Sequence, residues 1–183
     1  MDATFECDGE FESEAERAKY RTWWIPNEDF TVYSGLDASV TRVREALQSK
    51  QCNALLGFSQ GAALVSLVCQ SYVTAASSPS VSQLEDETKP LMLAILAGGF
   101  LVRDTEYQTQ LLKCLPMCKI PTLHIIGDVD QLVPPSRSMQ LKELFPSAET
   151  YTHEGGHCVP TNKAAISAYQ AFIQSALSSS SMP

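Results

Sequence analysis

Residues 53–65 read Asn53-Ala54-Leu55-Leu56-Gly57-Phe58-Ser59-Gln60-Gly61-Ala62-Ala63-Leu64-Val65. The first six residues form a short apolar run of strand length. From Gln60 to about Ala75 the chain is apolar nearly all round, which predicts a buried helix. Between the two, Gly57-Phe58-Ser59-Gln60-Gly61 is a G-x-S-x-G sequence in the strand-then-helix setting that gives this pattern its meaning. A turn that tight leaves no room for side chains beside the serine, hence the glycines two residues to either side. It presents Ser59 Oγ on the surface of the turn. It also leaves the Gln60 backbone N–H, at the start of the helix, free to donate to an oxyanion. Ser59 is therefore a candidate nucleophile and Gln60 a candidate oxyanion donor.

Outward from this turn, apolar runs alternate with helical periodicity. Ser39 to Gln48 places Val40, Val43 and Leu47 on one helical face. Residues 77–88, rich in serine, proline and acid, predict a surface linker. Leu91 to Ala97 predicts a second strand ending in Gly98-Gly99, and Ile120 to Ile126 a third ending in Gly127-Asp128. A helix from Pro135 to Phe145 is bracketed by Pro134 and Pro146, a fourth strand spans Glu149 to His153, and Ile166, Tyr169, Ile173 and Leu177 repeat at helical spacing. Strands separated by helices imply right-handed crossovers and a mainly parallel sheet covered on both faces, an α/β fold in one domain over residues 1–183. In such sheets sites form at the carboxyl ends of the strands.

A serine hydroxyl at its ordinary pKa needs a neighbouring base. The histidines are His124, His153 and His157. His124 falls mid-strand and reads as a satisfied core histidine, while His153 ends a strand and caps it. The stretch His153-Glu154-Gly155-Gly156-His157 also fits H-E-x-x-H, a zinc pattern that works only on a helix, where residues four apart share a face. Its two central glycines each cost about 1 kcal/mol of helix propensity relative to alanine, Pro160 follows, and Glu149 to His153 alternates like a strand. The stretch is therefore expected to be a loop without metal, and His157, freed by the two glycines, is the candidate general base. Asp128 and Asp130, after the third strand, are the candidates for the acid that orients it. Asp128 is placed to pin the turn through its own backbone, and Asp130 is preferred because it projects further. The chain order Ser, Asp, His is that of α/β-hydrolases.

Composition narrows the partners. Thirteen basic against 21 acidic side chains give a formal charge of −8, which repels phosphate backbones and anionic lipid and argues against nucleic acid and membrane partners. No apolar run approaches the roughly 20 residues of a membrane span. The first 16 residues hold seven acids and no base, unlike a signal peptide, so a cytoplasmic location is expected. Without a secretory signal the cysteines at positions 7, 52, 69, 114, 118 and 158 read as reduced thiols, and the Cys114–Cys118 spacing is not that of a zinc knuckle. No cofactor is called for.

With these residues in view, GFSQGA, AILAGGF, IPTLHIIGDVDQLVPPSRS and HEGGHCVP together resemble the small serine hydrolases of the FSH type, from Asp2-Ala3 to the last helix. That family has the α/β-hydrolase fold and includes fungal thioesterases that release polyketides from their synthases. The resemblance implies a catalytic triad of Ser59, Asp130 and His157. It implies hydrolysis of a small-molecule ester or an acyl-thioester without metal, with an acyl carrier protein as a candidate carrier of the acyl group. The family pattern opens with a strand ending in His-Gly, a helix, and a strand ending near Asp-Ala-Pro, whereas this sequence starts Met1-Asp2-Ala3-Thr4. On that comparison a first strand-helix-strand unit of roughly 30 residues or more, carrying the second oxyanion donor, is expected to be missing. Two rival readings follow: a catalytically impaired or inactive hydrolase fragment, and a serine peptidase on the same fold. Tyr20, Trp23 and Trp24 in YRTWWIP are candidates for an acyl pocket or for core packing, and the acidic run from Glu6 to Glu16 reads as a solvated loop.

Overall fold

The computed structural model describes residues 5–6, 21–77 and 90–179. The expected linker at 77–88 lies outside these apart from Ser77, which closes a helix. Four strands of two residues each come first. β1 (Phe5–Glu6) pairs antiparallel with β2 (Arg21–Thr22), and β3 (Ile25–Pro26) with β4 (Tyr33–Ser34). The central sheet is parallel, in the order β5 (Ala54–Phe58), β6 (Leu93–Ala97), β7 (Thr122–Gly127) and β8 (Ala148–His153). Each agrees with an expected strand to within two residues. The helices are α1 (Leu36–Ser49), α2 (Gln60–Ser77), α3 (Thr105–Cys114), α4 (Pro135–Lys142) and α5 (Lys163–Ser179), with a 3-10 turn at Leu115–Met117.

Differences from the expected elements have local causes. Helix α1 begins three residues before Ser39 because Gly35, at φ 84, turns the chain into it and buries Leu36. Helix α4 stops at Lys142 rather than Phe145. Beyond it the Leu144 and Phe145 N–H groups donate to Leu141 and Lys142 carbonyls at i−3 spacing, just before Pro146. Helix α3 was not singled out by periodicity. Its sequence signal is Asp104, the N-cap whose side chain accepts from the Tyr107 N–H.

All five residues of β6 are buried, as a parallel strand covered on both faces requires. Its alternate side chains feed two cores. Ala94 and Leu96 pack with Leu36 and Val43 of α1, Leu64 and Val68 of α2 and Leu111 of α3, while Leu93, Ile95 and Ala97 pack with Leu123, Ile125 and α5 residues Phe172 and Ala176. Strand β5 is one of the two sheet edges among the described residues, and Leu56 and Phe58 on it are 59% and 40% exposed.

His124 sits in β7 at 1% exposure, its ring 5.3 Å from that of Phe145. It is a core histidine but not a fully satisfied one, since Nε2 has no hydrogen-bond partner. Burial, and secondarily the positive charge of Lys142, push its pKa down to about 3. The folded protein keeps the ring neutral while the unfolded chain takes up a proton below about pH 6.5. Stability therefore falls as the pH drops from there toward 3, by up to about 1.4 kcal/mol per pH unit. His124→Leu is expected to remove that share of the slope in denaturant melts between pH 6.5 and pH 4. An unchanged slope would show that the ring is protonated in the fold.

Candidate active site

The turn after β5 is built around a strained serine. Ser59 has φ 55, a left-handed conformation that costs a non-glycine residue about 1–3 kcal/mol. It is held from both sides: its N–H donates to Ala97 O of β6 at 2.8 Å, and its carbonyl accepts from the Ala62 and Ala63 N–H groups at 3.0 and 3.1 Å. Gly57 is required because a Cβ there would lie 2.3 Å from Gly61 O. The second glycine is under less constraint, since a Cβ on Gly61 would meet only Trp23 Nε1, at 3.4 Å.

Two strands away, Asp130 is 5% exposed and its Oδ2 lies 2.7 Å from His157 Nδ1. Its Oδ1 accepts from the Leu132 and Val133 N–H groups at 3.0 and 2.8 Å. Burial by itself would raise the Asp130 pKa. The hydrogen bond to His157 and those from the Val133 and Leu132 backbone outweigh it and hold the carboxyl below its ordinary value, so it is ionised at neutral pH. Asp128 is exposed. Its N–H donates to His153 O at 2.8 Å, so its contribution here is to tie the end of β7 to β8 through backbone.

Glycines let the histidine loop reach this place. A Cβ on Gly127 would stand 2.4 Å from Gly156 O, so the Gly155-Gly156 segment crosses directly against the end of β7. Gly98, at φ 55, gives the imidazole its seat: a Cβ there would be 3.0 Å from His157 Cε1. The Phe58 ring flanks the imidazole at 4.6 Å. His153 ends β8 and accepts from the Gly155 N–H at 3.2 Å, remaining on its own loop. Residues 154–158 are not helical. His153 and His157 therefore share no helix face, and the spacing that suggested zinc lacks the geometry zinc needs.

The ends of all four sheet strands thus meet at one place. Ser59 follows β5, Gly98 follows β6, Asp130 lies beyond β7 and His157 beyond β8. Ser59 Oγ makes no hydrogen bond among the described residues, and the Ala97–Gly98 backbone links the serine turn to the imidazole. Beside Ser59 opens a cavity of about 350 Å³ lined by Gln60, Trp24, Tyr33 and Phe100 among others. Trp24 is buried and stacks on Tyr33 with ring centroids 5.4 Å apart.

The expected pocket residues divide. Trp24 faces the Ser59 cavity, Trp23 lines a separate apolar groove along β5, and Tyr20 lies outside the described residues. The Gln60 side chain, which sequence reasoning passed over in favour of its backbone, fastens this segment to the serine turn. Its Oε1 accepts from the Trp23 N–H at 2.7 Å and lies 2.7 Å from Thr22 Oγ1, and its Nε2 donates to Trp24 O at 3.2 Å. Nothing in the local sequence marks that role, because its partners lie 36 to 38 residues away.

A family model described as "Serine hydrolase (FSH1)" matches residues 1–169. Esterase OVCA2 of Homo sapiens is 35% identical over 164 residues, 84% of this chain and 67% of that protein. An esterase of Aedes aegypti is 31% identical over 182 residues, 93% of this chain and 60% of that protein. The chain thus spans about two thirds or less of the length of these relatives. Among solved structures, Zea mays acyl-protein thioesterase 2 superposes with a TM-score of 0.57 at 18% identity, over 85% of this chain and 72% of that one. SOBER1 of Arabidopsis thaliana does so with a TM-score of 0.57 at 17% identity, over 84% and 67%. At such identities the likeness speaks for the α/β-hydrolase fold alone.

Proposed function

This chain belongs to the FSH1 serine hydrolase family, and from that premise we propose that it cleaves carboxylic esters or thioesters through an acyl-enzyme on Ser59. The observation that carries the reading is the 2.7 Å pairing of Asp130 with His157 at the strand ends that also hold the strained serine. Ser59 Oγ bonds to the acyl carbon while His157 Nε2 takes the hydroxyl proton. The proton then goes to the departing alcohol or thiol as its bond to the acyl carbon breaks. Water repeats the cycle on the acyl-enzyme and frees the acid. Ionised Asp130 holds the imidazole with its Nδ1–H toward the carboxylate, which leaves Nε2 as the base. The Gln60 N–H, unopposed at the start of α2, donates to the oxyanion.

Trp24 and Phe100 border the acyl pocket in this reading. Release of an acyl chain from a carrier protein, as in polyketide synthesis, is its narrower form, supported only by the family resemblance. The five described cysteines are free thiols, which suits a reducing cytoplasm. The test is turnover of 4-nitrophenyl butanoate and of a matching thioester with and without EDTA. Both are expected to be hydrolysed at rates the chelator leaves unchanged, because the HEGGH stretch is a loop. Loss with EDTA and recovery with zinc would overturn the assignment.

A further inference from the structure

The cavity beside Ser59 also presents two cations. Arg103, the residue before the N-cap of α3, and Arg137, in the first turn of α4, both line it. In a chain with 21 acidic against 13 basic side chains, guanidinium groups facing a cavity would ordinarily find a carboxylate. Among the described residues neither does. The acid next in sequence, Asp104, is committed elsewhere, its two oxygens accepting from the Tyr33 N–H at 2.8 Å and the Tyr107 N–H at 3.2 Å. Burial first, and then the positive charge of Arg103, lower the Arg137 pKa from its ordinary value. A guanidinium nevertheless stays charged at neutral pH. Arg137, half-buried near a second cation and without a counter-charge, is in an unfavourable arrangement that a bound anion relieves, while Arg103 itself is exposed.

The arginines are held in place. Arg137 Cζ lies 4.8 Å from the Phe100 ring centroid and Arg103 Cζ 5.9 Å from that of Phe30. A cation–π contact of this kind steadies a guanidinium while using none of its N–H donors, which stay available to an anion. Phe30 keeps its position at φ 60, a conformation in which a bulky residue is strained. Its turn is closed by Phe30 N–H to Asn27 O at 3.1 Å and Asn27 N–H to Val32 O at 2.9 Å, and tied to α3 by Thr105 N–H to Thr31 O at 3.0 Å. The Arg103 backbone N–H donates to Tyr33 Oη at 3.2 Å. Helix α4 is anchored by Ser138 Oγ donating to Gly99 O at 2.7 Å.

We propose that Arg103 and Arg137 form an anion-binding subsite in the Ser59 cavity, so that the substrate is an ester or thioester bearing a carboxylate or phosphate group near its scissile carbonyl. The proposal rests on the serine hydrolase reading for its chemistry, while the subsite itself stands on the arginines. The anion has two possible sources: a carboxylate at the far end of the acyl chain, or a phosphate on the leaving group.

The test compares kcat/KM of the full chain on matched pairs. The acyl-side pair is 4-nitrophenyl hydrogen glutarate against neutral 4-nitrophenyl pentanoate. The leaving-group pair is S-butanoyl phosphopantetheine against S-butanoyl pantetheine. In one pair the charged member is expected to be preferred by about tenfold or more, as a charged hydrogen-bond pair would give. Arg137→Gln and Arg103→Gln are each expected to bring that ratio toward parity, and Arg137→Lys to restore part of it. The ratio is the readout because a folding defect lowers both members together. No charge preference in either pair, or a preference that survives both Gln substitutions, overturns the proposal.

A binding measurement separates this from failure of the hydrolase reading. Monomethyl glutarate and phosphopantetheine are titrated calorimetrically into Ser59→Ala protein with and without Arg137→Gln. Binding of either, weakened about tenfold by the arginine change, in a protein whose parent cleaves no ester would keep the subsite and remove the hydrolase. Ester cleavage without binding of either anion would do the reverse.

Discussion

Ser59→Ala is expected to lower ester turnover by about 10⁶-fold, the scale seen when a triad serine is removed, and to abolish covalent labelling by a fluorophosphonate. The expectation rests on what other hydroxyls in the fold are doing. Ser66 donates to Ala63 O at 2.6 Å and Ser138 to Gly99 O at 2.7 Å, and Ser39 is engaged with Trp23 O. Those bonds hold helices and loops together, and none of the three sits in a strained turn at a strand end. Ser59 does, with φ 55. Alanine meets the same backbone strain as serine, so the substitution removes the nucleophile and leaves the turn. Intact-mass spectra should show one adduct on the parent and none on the variant, with unchanged thermal melting as the control for folding. Equal labelling of Ser59→Ala would move the nucleophile elsewhere.

Asp130→Asn is expected to cost about 10⁴-fold in kcat, as amide replacement of the orienting acid does in a serine protease, while Asp128→Asn costs little. The difference follows from where each side chain points. Asp130 presents Oδ2 to His157 Nδ1 at 2.7 Å and Oδ1 to two backbone N–H groups. In the asparagine variant the amide oxygen still satisfies the Leu132 and Val133 N–H groups, so the loop persists. The amide nitrogen then faces Nδ1, which must accept. The hydrogen passes to Nε2, and the imidazole can no longer take a proton from Ser59. Asp128 is exposed and contributes through its backbone N–H, which the substitution leaves intact. Steady-state kinetics on one aryl ester, with both variants checked by melting, decide the ranking. The reverse order would transfer the orienting role to Asp128.

Much of this site was legible before any tertiary contact was known. The G-x-S-x-G turn between two apolar runs, the glycine pair before His157 and the acids after the third strand are signals written by neighbours in the chain. Gly57 illustrates the type: its missing side chain is required by Gly61, four residues on. The preference for Asp130 over Asp128 was also open to sequence reasoning; in the fold Asp130 is the one that stands 2.7 Å from His157 Nδ1.

Other features depend on which strand ends become adjacent, and no window of sequence reports that. Trp23 and Trp24 are consecutive, yet they line different cavities, and the Gln60 side chain, 37 and 36 residues away, bonds the backbone of both at the serine turn. Arg103 and Arg137 carry no signal singly, since an isolated arginine usually faces water. They converge only because α3 and α4 both start at the carboxyl end of the sheet.

By itself the sequence determined the positions of the four strands of the parallel sheet and which residues are candidates for nucleophile, acid and base, because hydrophobic period and turn chemistry act over a few residues. Only the tertiary structure decided which side chains share the cavity, that His124 is buried with one nitrogen unpartnered, and that two cations stand beside Ser59 without an acid among the described residues. Those outcomes depend on the parallel order β5-β6-β7-β8, a packing result that sums contacts between segments far apart in the chain.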